Sequence, residues 1–192
     1  MKGLRIVTAM CGSFCTFSQV MSCLEQLAKK EAELIPVMSK NAFSMDTKFG
    51  EAEGWNQKLC KLTNQKIITT IQEVEPFGPK GMADIMLIAP CTGNTLAKLA
   101  AGITDGPVTM AAKSMLRAKK PIVIAMSTND GLAATAKNIG ELLNRKHYYF
   151  VPFGQDDWKN KPCSLQADFS KVEETLKQAL QGEQLQPVLI QK

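Results

Sequence analysis

Residues 85–105, IMLIAPCTGNTLAKLAAGITD, decide how the rest of the chain is read. Ile85–Ala89 is apolar without a break and without alternation. A strand with one solvated face alternates; an unbroken run suits a strand covered on both faces, as in a parallel sheet. Pro90-Cys91-Thr92-Gly93-Asn94-Thr95 then forms a turn of small, hydroxylic and amide-bearing residues, after which a helix is predicted. Strand, small-residue turn and helix, in that order, make the unit from which doubly wound sheets are built.

The same unit recurs on both sides of this segment. Arg5–Met10 (RIVTAM), Leu34–Met38 (LIPVM) and Ile122–Met126 (IVIAM) are runs of the same kind. Tyr148–Val151 (YYFV) is a further candidate strand, and Val188–Ile190 a short edge strand. Between them, Phe17, Val20, Met21, Leu24, Leu27 and Ala28 recur at helical spacing. Trp55, Leu59 and Leu62 do so on a shorter segment. Pro107 suits a first helical position, with Val108–Ala118 behind it, and Leu132–Asn144 is another helix. Phe169, Val172, Leu176, Ala179 and Leu180 mark the last, with Ser170 and Glu173 at capping-box spacing. Alternation of this kind predicts a three-layer, doubly wound parallel α/β sheet of flavodoxin- or Rossmann-like form, with residues 1–192 as one domain. Ser39–Gly54 is polar and reads as a loop or loosely helical lid, and Gly154–Pro162 as a second irregular stretch.

Composition narrows the function. The chain has 192 residues, 45% of them hydrophobic and 21% charged, as expected of a globular protein. Lys2 and Arg5 bracket only Gly3 and Leu4, and the apolar stretch behind them is too short for an export signal. No apolar run approaches the roughly 20 residues that cross a bilayer. A cytoplasmic location and no membrane contact are therefore expected. The six cysteines form no C-x-x-C pair and no zinc-type spacing, so buried thiols are expected and no metal site. The net charge is +5, and the densest basic cluster, Lys113, Arg117, Lys119 and Lys120, suits a solvated helix end. With 6% aromatics and no broad basic face, nucleic-acid binding is not expected.

In open parallel sheets, ligands bind beyond the carboxyl ends of the strands. Four such ends are followed by small polar turns: Cys11-Gly12-Ser13, Ser39-Lys40-Asn41, Thr92–Thr95, and Ser127-Thr128-Asn129. Capping alone explains any one of them; four on one sheet edge point to a site. Helix amino termini offer free N–H groups and partial positive charge, so the ligand class is anionic or phosphate-bearing. Neither G-x-G-x-x-G nor a P-loop occurs, which argues against direct NAD(P) or ATP binding in the usual manner. Catalytic side chains are scarce. His147, the one histidine, precedes a strand and reads as a surface or packing residue rather than a base; Cys91 reads as a buried thiol. Asp105 and Asp130 are the best-placed carboxylates, although Asp105 also suits a helix cap.

Pro90–Asp105 resembles the P-x-S/T-x-N-T…A-x-G-x-x-D segment of the homo-oligomeric flavin-containing cysteine decarboxylases, a superfamily that includes flavin prenyltransferases. Within it, the chain is similar over nearly its whole length to the family of dipicolinate synthase B subunits. The shared blocks are Thr47–Gly50 (TKFG), Glu75–Lys80 (EPFGPK), Thr104–Pro107 (TDGP), Met110–Lys113 (MAAK), Ser127–Asp130 (STND), Phe150–Asp156 (FVPFGQD) and Gln184–Val188 (QLQPV).

The resemblance implies a flavoprotein fold, a homo-oligomer, and FMN held by Gly12, Ser13, Ser39, Thr92, Asn94 and Thr95; Ser127, after a strand on the same sheet edge, is expected in the same cofactor site. It also implies oxidation of dihydrodipicolinate to dipicolinate, the calcium-binding metabolite of endospores, in the mother cell of a spore former. NADP, the acceptor, is expected on an A subunit. Lys113, Arg117 and Asn129 are candidates for contact with the dicarboxylate substrate. The sequence departs from the decarboxylases where their active-site histidine would stand, which here reads Glu75-Pro76-Phe77. Asp105-Gly106 replaces their Asp-Asn, and Ala125–Asn129 replaces their P-x-M-N. The missing histidine and the altered P-x-M-N argue against cysteine-peptide decarboxylation, and Asp105-Gly106 bears on the flavin site. An independent FMN-dependent lyase or prenyltransferase, and a binding subunit without chemistry, remain the alternatives.

Overall fold

A computed structural model describes residues 1–191. The chain enters through β1 (Arg5–Met10) and crosses by α1 (Phe17–Lys29) to β2 (Glu33–Met38). It returns through α2 (Lys40–Ser44), α3 (Ala52–Thr63) and α4 (Ile71–Val74) to β3 (Ile85–Cys91). Two helices, α5 (Gly93–Ala101) and α6 (Pro107–Arg117), lead to β4 (Ile122–Thr128), and α7 (Ala136–Leu143) leads to β5 (Tyr148–Phe150). β6 (Phe153–Gly154) and β7 (Leu165–Ala167) precede α8 (Val172–Leu180).

Strands β2-β1-β3-β4-β5 pair in parallel in that order. All seven residues of β3 are buried, which is why its sequence shows no alternation. Val7, Ala9, Met86, Ile88 and Ile124 pack against Leu96, Ala111 and Met115 on one face. Ile6, Met10, Leu87 and Val123 meet Phe17, Leu24 and Leu176 on the other.

The sheet is parallel-dominated rather than wholly parallel. β5 covers only Ile122–Ile124 of β4, and the end of β4 pairs antiparallel with β7, Ser127 against Gln166 and Thr128 against Leu165. β6 then adds antiparallel to β7. Backbone polar groups at a buried strand end need partners, and β5 is too short to supply them.

Three local expectations change. The helix expected from Leu132 starts at Ala136, because Asp130–Thr135 is a turn in which Ala133 and Thr135 donate to the Asp130 carbonyl. The Ser170/Glu173 capping box does not form. Asp168 accepts from Ser170 N (3.0 Å) over a 3₁₀ turn at Phe169–Lys171, while Glu173 is drawn to Lys30 (2.6 Å) and Lys177 (2.8 Å). Val188–Ile190 makes a single bridge, Leu189 to Phe153, in place of a strand.

The Lys30–Glu173–Lys177 cluster ties α1 to α8 and predicts an acid limit. The two ammonium groups hold the Glu173 carboxyl down at about 2. Arg5, bonded at 2.7 Å, holds that of Asp84 below its ordinary value. A carboxyl more acidic in the folded state stabilises it above the ordinary carboxyl range, and that contribution disappears as pH falls toward the folded value. The urea midpoint is therefore expected to fall between about pH 6 and about pH 3. Glu173→Gln, less stable at neutral pH, should lose less over the same interval; an unchanged slope would refute the assignment.

Candidate functional site

The order β2-β1-β3 means that the chain leaves β1 outward to one side and returns to start β3 on the other. A crevice opens at such a switch point, beyond the carboxyl ends of β1 and β3. The two turns there are tied together. Cys11 N donates to the Pro90 carbonyl (3.1 Å), and Thr95 Oγ1 donates to Cys11 Sγ (3.3 Å).

Each turn prepares a helix end. Thr92 caps α5, its Oγ1 accepting from Thr95 N (3.2 Å) and its carbonyl from Leu96 N (2.9 Å). The first N–H groups of a helix have no partner within it, so those of Gly93 and Asn94 have none within α5. Gly106 precedes α6 without a side-chain cap, and Thr109 Oγ1 turns back to the Gly106 carbonyl (3.2 Å). α6 thus starts at Pro107 with no side-chain acceptor for the N–H groups of Val108 and Thr109. Ser39 follows β2 and caps α2, its Oγ accepting from Ala42 N (3.3 Å).

These elements surround a cleft of about 900 Å³. Of the residues expected in a site, Gly12, Ser39, Thr92, Asn94 and Thr95 line it. Ser13 and Ser127 meet each other instead: Ser13 Oγ donates to the Ser127 carbonyl (2.6 Å), joining the β1 turn to the end of β4. Neither lines the cleft. Asn129 is exposed outside it, and Lys113 and Arg117 line a separate pocket. Phe14, Phe43, Ile71, Lys98 and Val108 also line the cleft, beyond the residues expected there from sequence, together with Asn41 of the turn after β2. Lys98 stands four residues after Asn94 on α5, a helical spacing that points to it. Ile71 belongs to a stretch with no periodic pattern to read.

Charge in the cleft is held in place. Lys98 Nζ bonds both carboxylate oxygens of Asp105 (3.0 and 2.8 Å), which keeps that carboxyl ionised below its ordinary value. Burial pushes the Cys11 thiol up to about 11, against the opposing bonds from Thr95 and Thr92. Burial, then the neighbouring Cys11, raises Cys91 as well. Neither sulfur is a thiolate nucleophile near neutral pH. His147 lies at the other end of the sheet, its carbonyl accepting from Ile122 N where β4 begins. Among the described residues no group of three or more His, Cys, Asp or Glu side chains is placed to hold a metal, and no helix is long and apolar enough to cross a membrane.

A flavodoxin-like strand order with a cleft at its switch point is the arrangement in which open α/β sheets hold their ligands. The chain belongs to the flavoprotein family, whose profile matches residues 1–174. It is 42% identical over 191 residues to the dipicolinate synthase B subunit of Bacillus subtilis (strain 168), covering 100% of this chain and 96% of that one. The crystal structure of the dipicolinate synthase B subunit from Bacillus halodurans C matches with a TM-score of 0.91 at 42% identity, over 100% of this chain and 98% of that one. The FMN-dependent cysteine decarboxylase SpaF matches with a TM-score of 0.68 at 25% identity, over 92% and 97% of the two chains. The resemblance carried by the motifs and these comparisons agree.

The donor set fits a flavin mononucleotide. The hydroxyl of Ser39, the Asn94 amide and two open helix ends suit a phosphate ester, and Phe14, Phe43, Ile71 and Val108 offer apolar walls to a planar ring. A Cβ added at Gly12 would lie 3.4 Å from the Phe14 ring and 3.8 Å from Asn41 Cβ. The protein itself would accommodate that atom, so the glycine leaves a slot on the cleft side.

Proposed function

We propose that this chain is the B subunit of a dipicolinate synthase, which holds FMN in the strand-end cleft and works with an NADP-binding A subunit. The complex would oxidise dihydrodipicolinate to dipicolinate during endospore formation, in the cytoplasm of the mother cell. The observation that carries this reading is identity of 42% to a dipicolinate synthase B subunit from end to end of the chain.

The reaction removes a hydride and a proton from the dihydropyridine ring. The hydride reduces NADP to NADPH, the proton passes to solvent, and the ring becomes aromatic. A hydride acceptor must be held against the substrate, and the chain contains no G-x-G-x-x-G with which to hold a dinucleotide in the usual way. That division of labour assigns the nicotinamide to the partner. Bound flavin would supply a two-electron acceptor and a flat face against which a ring can stack. The residues of this chain would grip its phosphate at the starts of α5 and α6 and shield its ring with Phe14 and Phe43. Phe43 and Met45 are exposed at the cleft, and Phe49 is exposed in the same segment; exposed apolar side chains of that kind suit a contact between protomers, and a homo-oligomer is proposed on that basis. Cysteine-peptide decarboxylation is not proposed, since Glu75-Pro76-Phe77 stands in place of the decarboxylase histidine.

The test is dihydrodipicolinate-dependent NADPH formation by the purified chain, with and without an A subunit. The chain alone should give no rate above the blank, and the pair at least on the order of 100-fold more. Comparable rates in both tubes would overturn the proposal.

A further inference from the structure

A second pocket, of about 440 Å³, lies between the carboxyl end of α5 and one face of α6. That size is within the roughly 300–1,000 Å³ of small-molecule sites. Lys98 and Thr109 line both it and the main cleft, so the two adjoin. Four cations border the pocket: Lys98, Lys113, Arg117 and Arg145.

Two of the four are already neutralised. Lys98 is paired with Asp105 (2.8 Å) and Arg145 with Glu141 (2.8 Å). Arg145 also donates to the carbonyls of Leu99 (3.2 Å) and Ala100 (2.6 Å), holding the end of α5. Lys113 and Arg117 have no ion-pair partner among the described residues, and they stand four apart on α6, where like charges repel. Across from them is Tyr148, only 7% exposed. Its hydroxyl makes no hydrogen bond among the described residues and is not sealed from solvent, so it is open to a partner from the pocket. Burial, offset in part by Arg145, pushes that phenol up to about 12, so it stays a donor.

The geometry points to a binding site for a small dianion with two carboxylates, met by Lys113, Arg117 and the Tyr148 hydroxyl. Two unpaired cations match a ligand of charge −2, and an open O–H donor completes the polar set. The choice of a dicarboxylate over another dianion rests on the function proposed above; the charge match does not.

Pyridine-2,6-dicarboxylate is the probe, titrated calorimetrically into the full chain at low ionic strength. It should bind, and the Lys113→Gln/Arg117→Gln double variant should bind about tenfold or more weakly. Tyr148→Phe, its fold checked by circular dichroism, should weaken binding severalfold. Picolinate, with one carboxylate, should bind at least about tenfold less well than the dicarboxylate. No binding to the wild type, an unaffected double variant, equal affinity for picolinate, or equal affinity for inorganic phosphate would each overturn the proposal. Failure here is distinguishable from failure of the proposed function. NADPH formation with the A subunit that survives in the double variant would remove this pocket and leave that function standing; dicarboxylate bound here without partner-dependent NADPH formation would do the reverse.

Discussion

Gly78→Ala is expected to cost about 3 kcal/mol or more of stability, a large loss for one methyl group. A Cβ at this position would stand 1.9 Å from the Ser114 carbonyl oxygen and 2.7 Å from its carbon. Both atoms belong to the backbone of α6, so no rotamer change relieves the overlap. The loop is also bonded at this point: Gly78 N donates to Ser114 Oγ (3.0 Å), which donates in turn to the Glu75 carbonyl (2.6 Å). Moving either partner breaks both bonds, and moving α6 disturbs the cleft at its amino end. Gly81, three residues on, is the control. It has φ of +60° and nothing within 4 Å of an added Cβ, so Gly81→Ala should cost only the roughly 1–2 kcal/mol of a left-handed alanine. Urea denaturation of both variants decides the matter; equal losses would show that conformation, not close approach, selects glycine in this loop.

Gly93→Ala should have the largest effect on ligand binding. Its Cβ would meet Thr135 Oγ1 at 2.6 Å, Asp130 Oδ1 at 2.7 Å and Thr128 Oγ1 at 2.8 Å. These three groups are bonded to one another, Thr128 and Thr135 both donating to the Asp130 carboxylate. They cannot all retreat without breaking that set, so the start of α5 must move away from β4. With it go the open N–H groups of Gly93 and Asn94 and the Thr92 cap. The helix itself has its remaining contacts, and the fold should survive with a lowered melting temperature. A displacement near 1 Å at an oriented site can cost on the order of 100-fold, and flavin affinity is expected to fall by about that factor. Fluorescence titration with FMN measures it. Unchanged affinity in the folded variant would remove the amino end of α5 from the flavin site.

Both glycines show where sequence reading stops. Gly93 is legible as part of a small-residue turn after a buried strand, but nothing nearby in sequence announces Thr128, Asp130 and Thr135 around it. Gly78 lies in a stretch without period or strand signal, and its reason is a helix that begins 29 residues later. Ser13 and Ser127 both read as ligand donors from their positions after strands. Their hydroxyl-to-carbonyl bond spans 114 residues and turns them toward each other.

Residue order and type alone establish the five parallel strands, the burial of the central ones on both faces, most helix positions, and the edge of the sheet at which small polar turns gather. Those features are local: a strand covered on both sides carries its signal in every residue, and an amphipathic helix repeats its signal every turn. The packed fold was needed to settle which turns share a cleft, that β7 closes the end of β4, and that Tyr148 faces Lys113 and Arg117 across a pocket. Those outcomes depend on how distant segments lie against one another. Chain neighbours do not encode that arrangement, because it follows from packing the whole sheet and its helices at once.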